Sequence, residues 1–320
     1  MCASRWHDLL FRATVSSNVH IPDGFLSTPV WLTLDVIAVP AIGLLARRAQ
    51  RNLDHSRAPL LGVLGAFVFA AQMINFPVGI GTTGHLIGGA LLAFTVGPAA
   101  AAVVMTAILS IQALVFQDGG ILALGANVLN MAVFGTLAAY LPYRYLGRGA
   151  TRKWAIFLGA MLSVMVSAIL ALSELLFSGV AMPASVQGVS IALFAVSGLL
   201  EGLITVAVIQ ALESINPRFV QAPGAQGSGA VWLLAGAAFF LAVVGVMFAS
   251  SNPDGLEKLA EQIGISGRAQ TLLSTPLADY NLAFLRSAWL RKATAGLAGL
   301  LLVYGACVFF SRLVARDRGA

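Results

Sequence analysis

Apolar residues in this sequence gather into nine segments separated by polar or glycine-rich stretches. A membrane-spanning helix needs about 20 mostly apolar residues, and most of the segments approach that length. They are 29–46, 60–75, 86–96, 98–116, 121–141, 154–177, 189–212, 231–249 and 289–311. The pattern predicts an all-α fold, a polytopic transmembrane helix bundle of about seven spans followed, after a break, by two C-terminal spans.

The third segment, 86–96, is too short to span a bilayer alone. Residues 76–84 before it (FPVGIGTTG) are rich in glycine and suit an irregular loop. Irregular backbone at membrane depth is tolerated where protein surrounds it. We therefore expect a half-helix that is entered by a loop dipping into the protein.

The composition supports a membrane protein. Hydrophobic residues make up 58% of the chain and charged residues 10%, whereas soluble domains have about 45–50% and about 25%. The net charge is +6, but the basic residues cluster in the short loops between apolar segments, which is typical of membrane loops. We therefore expect a lipid bilayer, and no nucleic acid, as the partner of this surface.

The basic residues also predict an orientation, because cytoplasmic loops carry an excess of lysine and arginine. The clusters that follow the first, fifth, seventh and ninth segments all fall on one side of the bundle. They are Arg47, Arg48, Arg51 and Arg57; Arg144, Arg148, Arg152 and Lys153; Arg218; and Arg312, Arg316 and Arg318. This side is predicted to be cytoplasmic and to hold the C-terminus, while the segment beginning at Val19 and the long loop 250–288 lie outside.

Composition changes predict the domain organisation. Residues 1–18 contain no apolar run long enough for a signal peptide and are interpreted as a mis-annotated or dispensable N-terminal extension. Residues 218–229 (RFVQAPGAQGSG) have the composition of a linker. This linker separates a membrane domain, 19–217, from a module with two spans, 230–320.

Two of the four histidines are candidates for metal binding. His7 and His55 lie in polar or basic stretches that are typical of solvated residues, whereas His20 and His85 both fall on the predicted outer side. A lone buried histidine is usually a hydrogen-bonded core residue. Two on the same side, in loops that can fold together, indicate a metal site.

Four blocks, taken in order, resemble a known family. Residues 19–27 (VHIPDGFLS), 81–89 (GTTGHLIGG) and 112–131, with Gln112, DGG at 118–120 and LGAN at 124–127, resemble the CbiM/NikM family. Residues 252–257 (NPDGLE) resemble the PDGLE signature of the accessory CbiN/NikN type. The family comprises the substrate-capturing membrane components of energy-coupling-factor ABC transporters for cobalt and nickel. The resemblance implies a prokaryotic plasma-membrane protein that works with a membrane coupling subunit and ABC ATPase subunits.

The resemblance also implies a ligand set. In the family the chain starts Met-His, and we hypothesise that translation here starts at Val19. The Val19 amine, the amide and imidazole of His20 and the imidazole of His85 would then complete a square of nitrogens. Such a square suits Ni²⁺, which we favour, and Co²⁺ also accepts it. The metal is the transported ion, and no cofactor is expected.

Polar residues near these histidines have two interpretations each. Asp23 either orients a ligating imidazole or makes a turn in Pro22-Asp23-Gly24. Asn127 and Asn130 either orient the His85 loop or join helices by hydrogen bonds. Asp254 and Glu257 of the accessory loop either assist metal loading or lie in a solvated loop.

Two other classes of function remain as alternatives. An intramembrane enzyme lacks support, because the sequence contains no GxSxG or HExxH motif, and no Walker phosphate loop is present either. A secondary metal transporter driven by an ion gradient would need acids at mid-membrane, for which Glu174 and Glu201 are candidates. We therefore expect a transport component and no enzymatic activity.

Overall fold

The structure is a computed structural model that describes residues 20–51, 57–79, 81–217, 219–220, 229–250, 252–282 and 284–314. Its helices are α1 Thr28–Gln50, α2 Ala58–Gln72, α3 Gly89–Val96, α4 Pro98–Ile111, α5 Leu124–Leu146, α6 Arg152–Phe177, α7 Ala184–Ile215, α8 Gly229–Val243, α9 Gly255–Gln262 and α10 Ala288–Val314. Short 3₁₀ turns lie at Gly149–Thr151, Gly245–Met247, Ser266–Arg268 and Ala278–Tyr280. Strands β1 (Phe76–Gly79) and β2 (Thr82–Gly84) form one antiparallel hairpin. Residues 1–19 and most of the predicted linker lie outside the described residues.

The fold confirms the predicted transmembrane helix bundle. Seven helical stretches in the described residues are long and apolar enough to cross a membrane. They are Thr28–Gln50, Pro98–Phe116, Leu124–Leu146, Gly149–Phe177, Ala184–Ile215, Gly229–Met247 and Ala288–Val314. Large apolar side chains cover their outer surface, including Val39, Leu301 and Trp232, which are 76%, 75% and 73% exposed. An apolar exterior of this kind suits lipid, because charged side chains are costly in hydrocarbon.

Two of the nine predicted spans are shorter than a full crossing. Helix α2 has 15 residues and is therefore about 22 Å long. Helix α3 has eight residues and ends at Gly97, whose φ of 83° turns the chain into Pro98 and α4. The glycine-rich stretch before α3 is a β-hairpin in the structure, not an irregular loop, because its strands pair from Phe76 to Gly84.

Helix α10, at the C-terminal end of the chain, packs tightly against α2. A Cβ added to Gly65 would lie 2.5 Å from Cys307 Sγ, and one added to Gly299 would lie 2.3 Å from Phe69. Only glycine allows backbones to approach this closely, as is common between membrane helices. The C-terminal helices therefore form one bundle with the preceding ones.

Two π-helical turns occur in the described residues, at Gln112–Phe116 directly after α4 and at Val128–Gly135 within α5. π-Bulges are rare and occur frequently at functional sites. The first turn ends two residues before Asp118, and the second directly follows Asn127, a residue of the predicted site.

Candidate metal centre

His20 and His85 come together in the interior of the protein. Their ring centroids lie 6.0 Å apart, and the side chains are almost fully buried. Each Nδ1 has a hydrogen-bond partner, and each Nε2 is buried without one. An ion that binds one nitrogen of each ring lies about 2 Å from each nitrogen. With the distance from each nitrogen to its ring centroid added, the two centroids can be up to roughly 6 Å apart. The pair is thus close enough to share one ion.

The protonation of the His85 ring suits metal binding. Nδ1 of His85 lies 2.9 Å from the Leu86 carbonyl oxygen, to which it donates. Burial and the neighbouring His20 lower the pKa of His85 to about 4. The ring is therefore neutral near pH 7, and with the proton on Nδ1 its Nε2 presents a lone pair.

Asp118 fixes the ring of His20. Its Oδ1 lies 2.9 Å from His20 Nδ1, and its Oδ2 accepts from the hydroxyl of Tyr280 at 2.5 Å. Burial alone would raise the pKa of Asp118, but the charge and hydrogen bond of His20 and the hydrogen bond of Tyr280 bring it below the ordinary value. An ionised carboxylate only accepts, so Nδ1 of His20 carries the proton and Nε2 is the free nitrogen.

Asp23 and Asn127 anchor the loop that follows His20. The Asp23 carboxylate accepts from the backbone N–H groups of Ile121, Leu122 and Ala123 at 2.9, 2.8 and 3.2 Å. Asn127 accepts from the N–H of Ile21 at 2.8 Å and donates to its carbonyl at 3.1 Å. The structure therefore places Asp118, and not Asp23, against the imidazole.

Glu201 and Gln72 anchor the loop that follows His85. The Glu201 carboxylate accepts from the N–H groups of Ile87 at 2.7 Å and Gly88 at 2.8 Å, and Gln72 donates to the Ile87 carbonyl at 2.8 Å. Two consecutive N–H groups that bind one carboxylate fix the backbone two residues after His85. Glu201 thus has a structural partner within the site.

Other polar residues in and near the helices join neighbouring helices. Asn130 donates to Glu174 at 2.9 Å, which ties α5 to α6. Asp35 of α1 accepts from the N–H of Gly125 at 2.7 Å. These bonds hold α5, and therefore Asn127, in place behind the His20 loop.

The PDGLE motif begins helix α9. The Asp254 carboxylate accepts from the N–H of Glu257 at 2.8 Å, and the Glu257 carboxylate accepts from the N–H of Asp254 at 3.1 Å. This capping box satisfies two backbone donors at the helix start. Asp254 is 2% exposed, and burial and the neighbouring Glu257 raise its pKa well above the ordinary value.

The loop between α8 and α10, which we call the lid (residues 250–287), contacts the segments that carry His85, His20 and Asp118. Pro253 and Asn252 accept from the backbone and side chain of Thr83, at 2.9 and 3.0 Å, beside His85. The N–H of Gln270 donates to the Asp23 carbonyl at 2.9 Å. Two further hydrogen bonds join the lid to the segment that ends in Asp118. The Thr275 hydroxyl donates to the Val115 carbonyl, and the Gln117 side chain donates to the Leu273 carbonyl.

The nitrogen used by His20 differs from the one that the predicted square requires. A six-membered chelate ring with the histidine's own amide nitrogen uses Nδ1, whereas in the structure Nδ1 is held by Asp118. The square as predicted therefore requires the His20 ring to turn over about its Cβ–Cγ bond. Val19 lies outside the described residues, and within these residues no group of three or more His, Cys, Asp or Glu side chains is arranged around a metal position.

Sequence reasoning identified both imidazoles. It did not identify Asp118, which binds His20, or Tyr280 of the lid, which binds Asp118. Asp118 stands directly after the end of an apolar segment, in a glycine-rich turn, which is a usable signal for a functional acid. Tyr280 gave no signal, because its bond to Asp118 joins residues 162 positions apart.

Comparisons with known proteins agree with this architecture. The family model CbiM, described as the cobalt uptake substrate-specific transmembrane region, matches residues 20–219, and the PDGLE domain model matches residues 228–316. A putative fused nickel transport protein NikMN of Archaeoglobus fulgidus is 32% identical over 295 residues, which cover 89% of this chain and 95% of the relative. The cobalt transport protein CbiM of Thermosediminibacter oceani is 35% identical over 208 residues, which cover 61% of this chain and 84% of the relative.

A solved structure is also similar. The crystal structure of a transition metal transporter is 33% identical, with a TM-score of 0.52, and the match covers 62% of this chain and 94% of that one. The first family match spans well over half of the chain. The chain therefore belongs to the CbiM family of cobalt uptake substrate-specific transmembrane regions and carries a PDGLE domain behind that region.

Proposed function

We propose that this protein captures Ni²⁺, or Co²⁺, between His20 and His85 and is the substrate-binding component of a metal uptake transporter. The observation that carries the proposal is the pair of buried imidazoles, 6.0 Å apart, whose Nε2 atoms both lack a hydrogen-bond partner. Buried polar atoms normally have a hydrogen-bond partner, so two neighbouring imidazole nitrogens without one support a ligand bound between them. Imidazole nitrogen suits nickel and cobalt better than magnesium or calcium.

The names of the relatives support the choice of ions. The fused relative of Archaeoglobus fulgidus is named a nickel transport protein, and the shorter relative of Thermosediminibacter oceani a cobalt transport protein. This chain shares the fused arrangement, and for that reason nickel is the favoured cargo. The Val19 amine, as a further ligand, remains a prediction from the sequence.

The transport cycle that we propose requires partners. The protein lies in the plasma membrane of a prokaryote, with the metal centre facing outward and the C-terminus in the cytoplasm. The basic loops on one side support this orientation. A membrane coupling subunit and ABC ATPases of the energy-coupling-factor type supply the energy, because the chain itself carries no Walker motif.

Metal binding to the purified full-length protein in lipid nanodiscs tests the proposal. We expect one Ni²⁺ per chain, and we expect His20→Ala and His85→Ala to abolish this stoichiometric binding. His55→Ala is the matched control and should bind as the native protein does. Stoichiometric binding that survives both site variants would refute the site.

Uptake of ⁶³Ni²⁺ in cells that express the protein with and without its ATPase partners tests the energy source. We expect uptake only with the ATPases. Uptake that is independent of the ATPases and collapses with the proton gradient would favour the secondary transporter. Glu174 and Glu201, the acids which that mechanism needs, form hydrogen bonds with Asn130 and with the His85 loop in the structure.

A further inference from the structure

We propose that a groove between α5 and α6, at the end of the bundle that carries the basic loops, binds one anionic phospholipid. The acyl chain of the lipid lies in the groove, and its phosphate group contacts Arg144 and Arg148. Helix α5 separates this site from the metal centre, because Asn127 and Leu146 are 19 residues and thus roughly 28 Å apart along it. The inference therefore does not depend on the proposed metal site.

The groove lies on the outer surface of the bundle and has apolar walls. Its volume is about 480 Å³, and every residue that lines it is Leu, Met, Pro or Tyr. The lining residues include Tyr145 and Leu146 of α5 and Leu158, Met161, Leu162 and Met165 of α6. The four residues of α6 follow the spacing i, i+3, i+4 and i+7, so they form one face of the helix. An occupant of this groove must itself be apolar.

The length of the groove matches one layer of acyl chains. Trp154 is exposed and lies one turn before Leu158 on the same face of α6, and Met165 lies at the far end of the groove. The stretch from Trp154 to Met165 is about 16 Å long, which is about half of a hydrocarbon core of about 30 Å. Tryptophan and tyrosine collect at the level of the lipid headgroups. Trp154 and Tyr145 therefore mark the end of the groove at which a headgroup lies.

The side chains in the groove suit a flexible chain better than a partner helix. Membrane helices that pack against each other carry small residues at the contact, which let the backbones approach. None of the described residues that line this groove is Gly, Ala, Ser or Thr. Methionine is unbranched and adapts to irregular partners, and two of the lining residues are Met161 and Met165.

Positive charge lies at the headgroup end without an acid to neutralise it. The guanidinium carbon of Arg144 lies 5.9 Å from the ring centroid of Tyr145, which places this charge at the wall of the groove. Arg148 follows four residues later and is exposed. The sequence 141–165 contains no Asp or Glu. Among the described residues Arg152 pairs with Glu213, whereas Arg144 and Arg148 have no acidic partner.

The combination of an apolar groove and unpaired arginines identifies the class of lipid. The cytoplasmic leaflet is anionic, and each basic residue near its surface strengthens the attraction about fivefold. A neutral phospholipid fills the groove equally well but gains nothing from Arg144 and Arg148. We therefore expect the site to select an anionic headgroup.

Native mass spectrometry of the full-length protein tests the headgroup contact. The protein in detergent is titrated with phosphatidylglycerol or with phosphatidylcholine that has the same acyl chains, and the bound lipids are counted. The test variant combines Arg144→Gln and Arg148→Gln. Its matched control combines Arg47→Gln and Arg48→Gln, which removes the same charge from two exposed arginines at the end of α1, on the same side of the bundle.

A second pair of variants tests the contact with the acyl chain. Leu162→Trp fills the groove and leaves the charges unchanged. Ile169→Trp is its control, because Ile169 lies one turn beyond Met165 on the same helix and is similarly exposed, at 49% against 41% for Leu162. Both changes place tryptophan on the outer surface, so the bundle should fold in each case.

We expect the native protein to retain one phosphatidylglycerol, with a Kd at least about 10-fold below that for phosphatidylcholine. Loss of Arg144 and Arg148 should raise the Kd for phosphatidylglycerol roughly 10- to 30-fold and that for phosphatidylcholine little. Leu162→Trp should weaken the binding of both lipids by the same factor. The two control variants should bind like the native protein.

Three results would overturn the inference. The first is equal binding of the two lipids by the native protein, and the second is an equal loss in the Arg47 and Arg48 control. The third is unchanged lipid binding by Leu162→Trp, which would show adsorption of the headgroup alone. If the native protein selects no phosphatidylglycerol and Leu162→Trp instead lowers co-purification of the coupling subunit or of a second copy, the groove receives a protein helix and the inference is wrong.

Discussion

Replacing Glu201 with glutamine tests whether the His85 loop must be held rigidly for metal binding. The carboxylate accepts two backbone N–H groups, from Ile87 at 2.7 Å and Gly88 at 2.8 Å. Glutamine has one carbonyl oxygen, and its amide group is a donor. One of the two buried N–H groups in Glu201→Gln therefore faces another donor and remains unsatisfied.

The expected change in the Kd for Ni²⁺ follows from the one hydrogen bond that Glu201→Gln loses. An unsatisfied buried donor costs about 1–3 kcal/mol. If the loop must adopt its native position to bind metal, the same free energy reduces the binding-competent fraction and raises the Kd by about 5-fold to about 150-fold. The stoichiometry should stay at one Ni²⁺ per chain, because both imidazoles remain.

The assay combines a thermal melt in detergent with a Ni²⁺ competition titration. Glu213→Gln is the control, because Glu213 lies on the same helix and pairs with Arg152 at 2.5 Å, away from the His85 loop. The control should leave the Kd unchanged. If Glu201→Gln binds Ni²⁺ as tightly as Glu213→Gln does, the loop does not need this anchor and the reasoning is wrong.

Two further changes test the packing around the site. In Gly120→Ala the new Cβ would lie 2.3 Å from Asp23 Oδ1, so we expect a lower melting temperature and weaker Ni²⁺ binding. Gly264 is the control, because it has a positive φ and no atom lies within 4 Å of the added Cβ. Gly264→Ala should lower the melting temperature only. In Thr83→Val the hydroxyl bond to the Asn252 carbonyl is lost, so limited proteolysis should cut the lid faster while the helices stay intact. Equal effects of the two glycine changes on Ni²⁺ binding, or an unchanged cleavage rate, would contradict these predictions.

The helices were predictable from sequence because the bilayer imposes a length on each apolar segment. The segments that became α4, α6 and α10 differ from the predicted bounds by only a few residues at either end. Helix α2 begins two residues before and ends three residues before the predicted bounds of 60–75, because Met73 ends it and the chain then enters the β-hairpin. Local apolar character shows that a segment is buried or faces lipid, but does not show where a hairpin replaces the end of a helix.

The site was predictable only in part. The histidines were identifiable because polar side chains stand out among apolar segments. Their partners were not, because the bonds from His20 to Asp118 and from Tyr280 to Asp118 join positions 98 and 162 residues apart. The role of Asp254 was open, because the sequence Pro253–Glu257 is compatible both with a capping box and with an acid that binds a ligand.

The tight glycine contacts between α2 and α10 have a consequence for how an ion reaches the site. Gly65 meets Cys307 and Gly299 meets Phe69 at distances at which no larger side chain fits, so α10 is closely packed against α2. We therefore expect a conformational change that opens the candidate metal centre to occur in the lid, residues 250–287, and not in α10. Opening of a loop that is held by several hydrogen bonds takes on the order of microseconds to seconds, and we expect this step to limit the rate at which an ion enters.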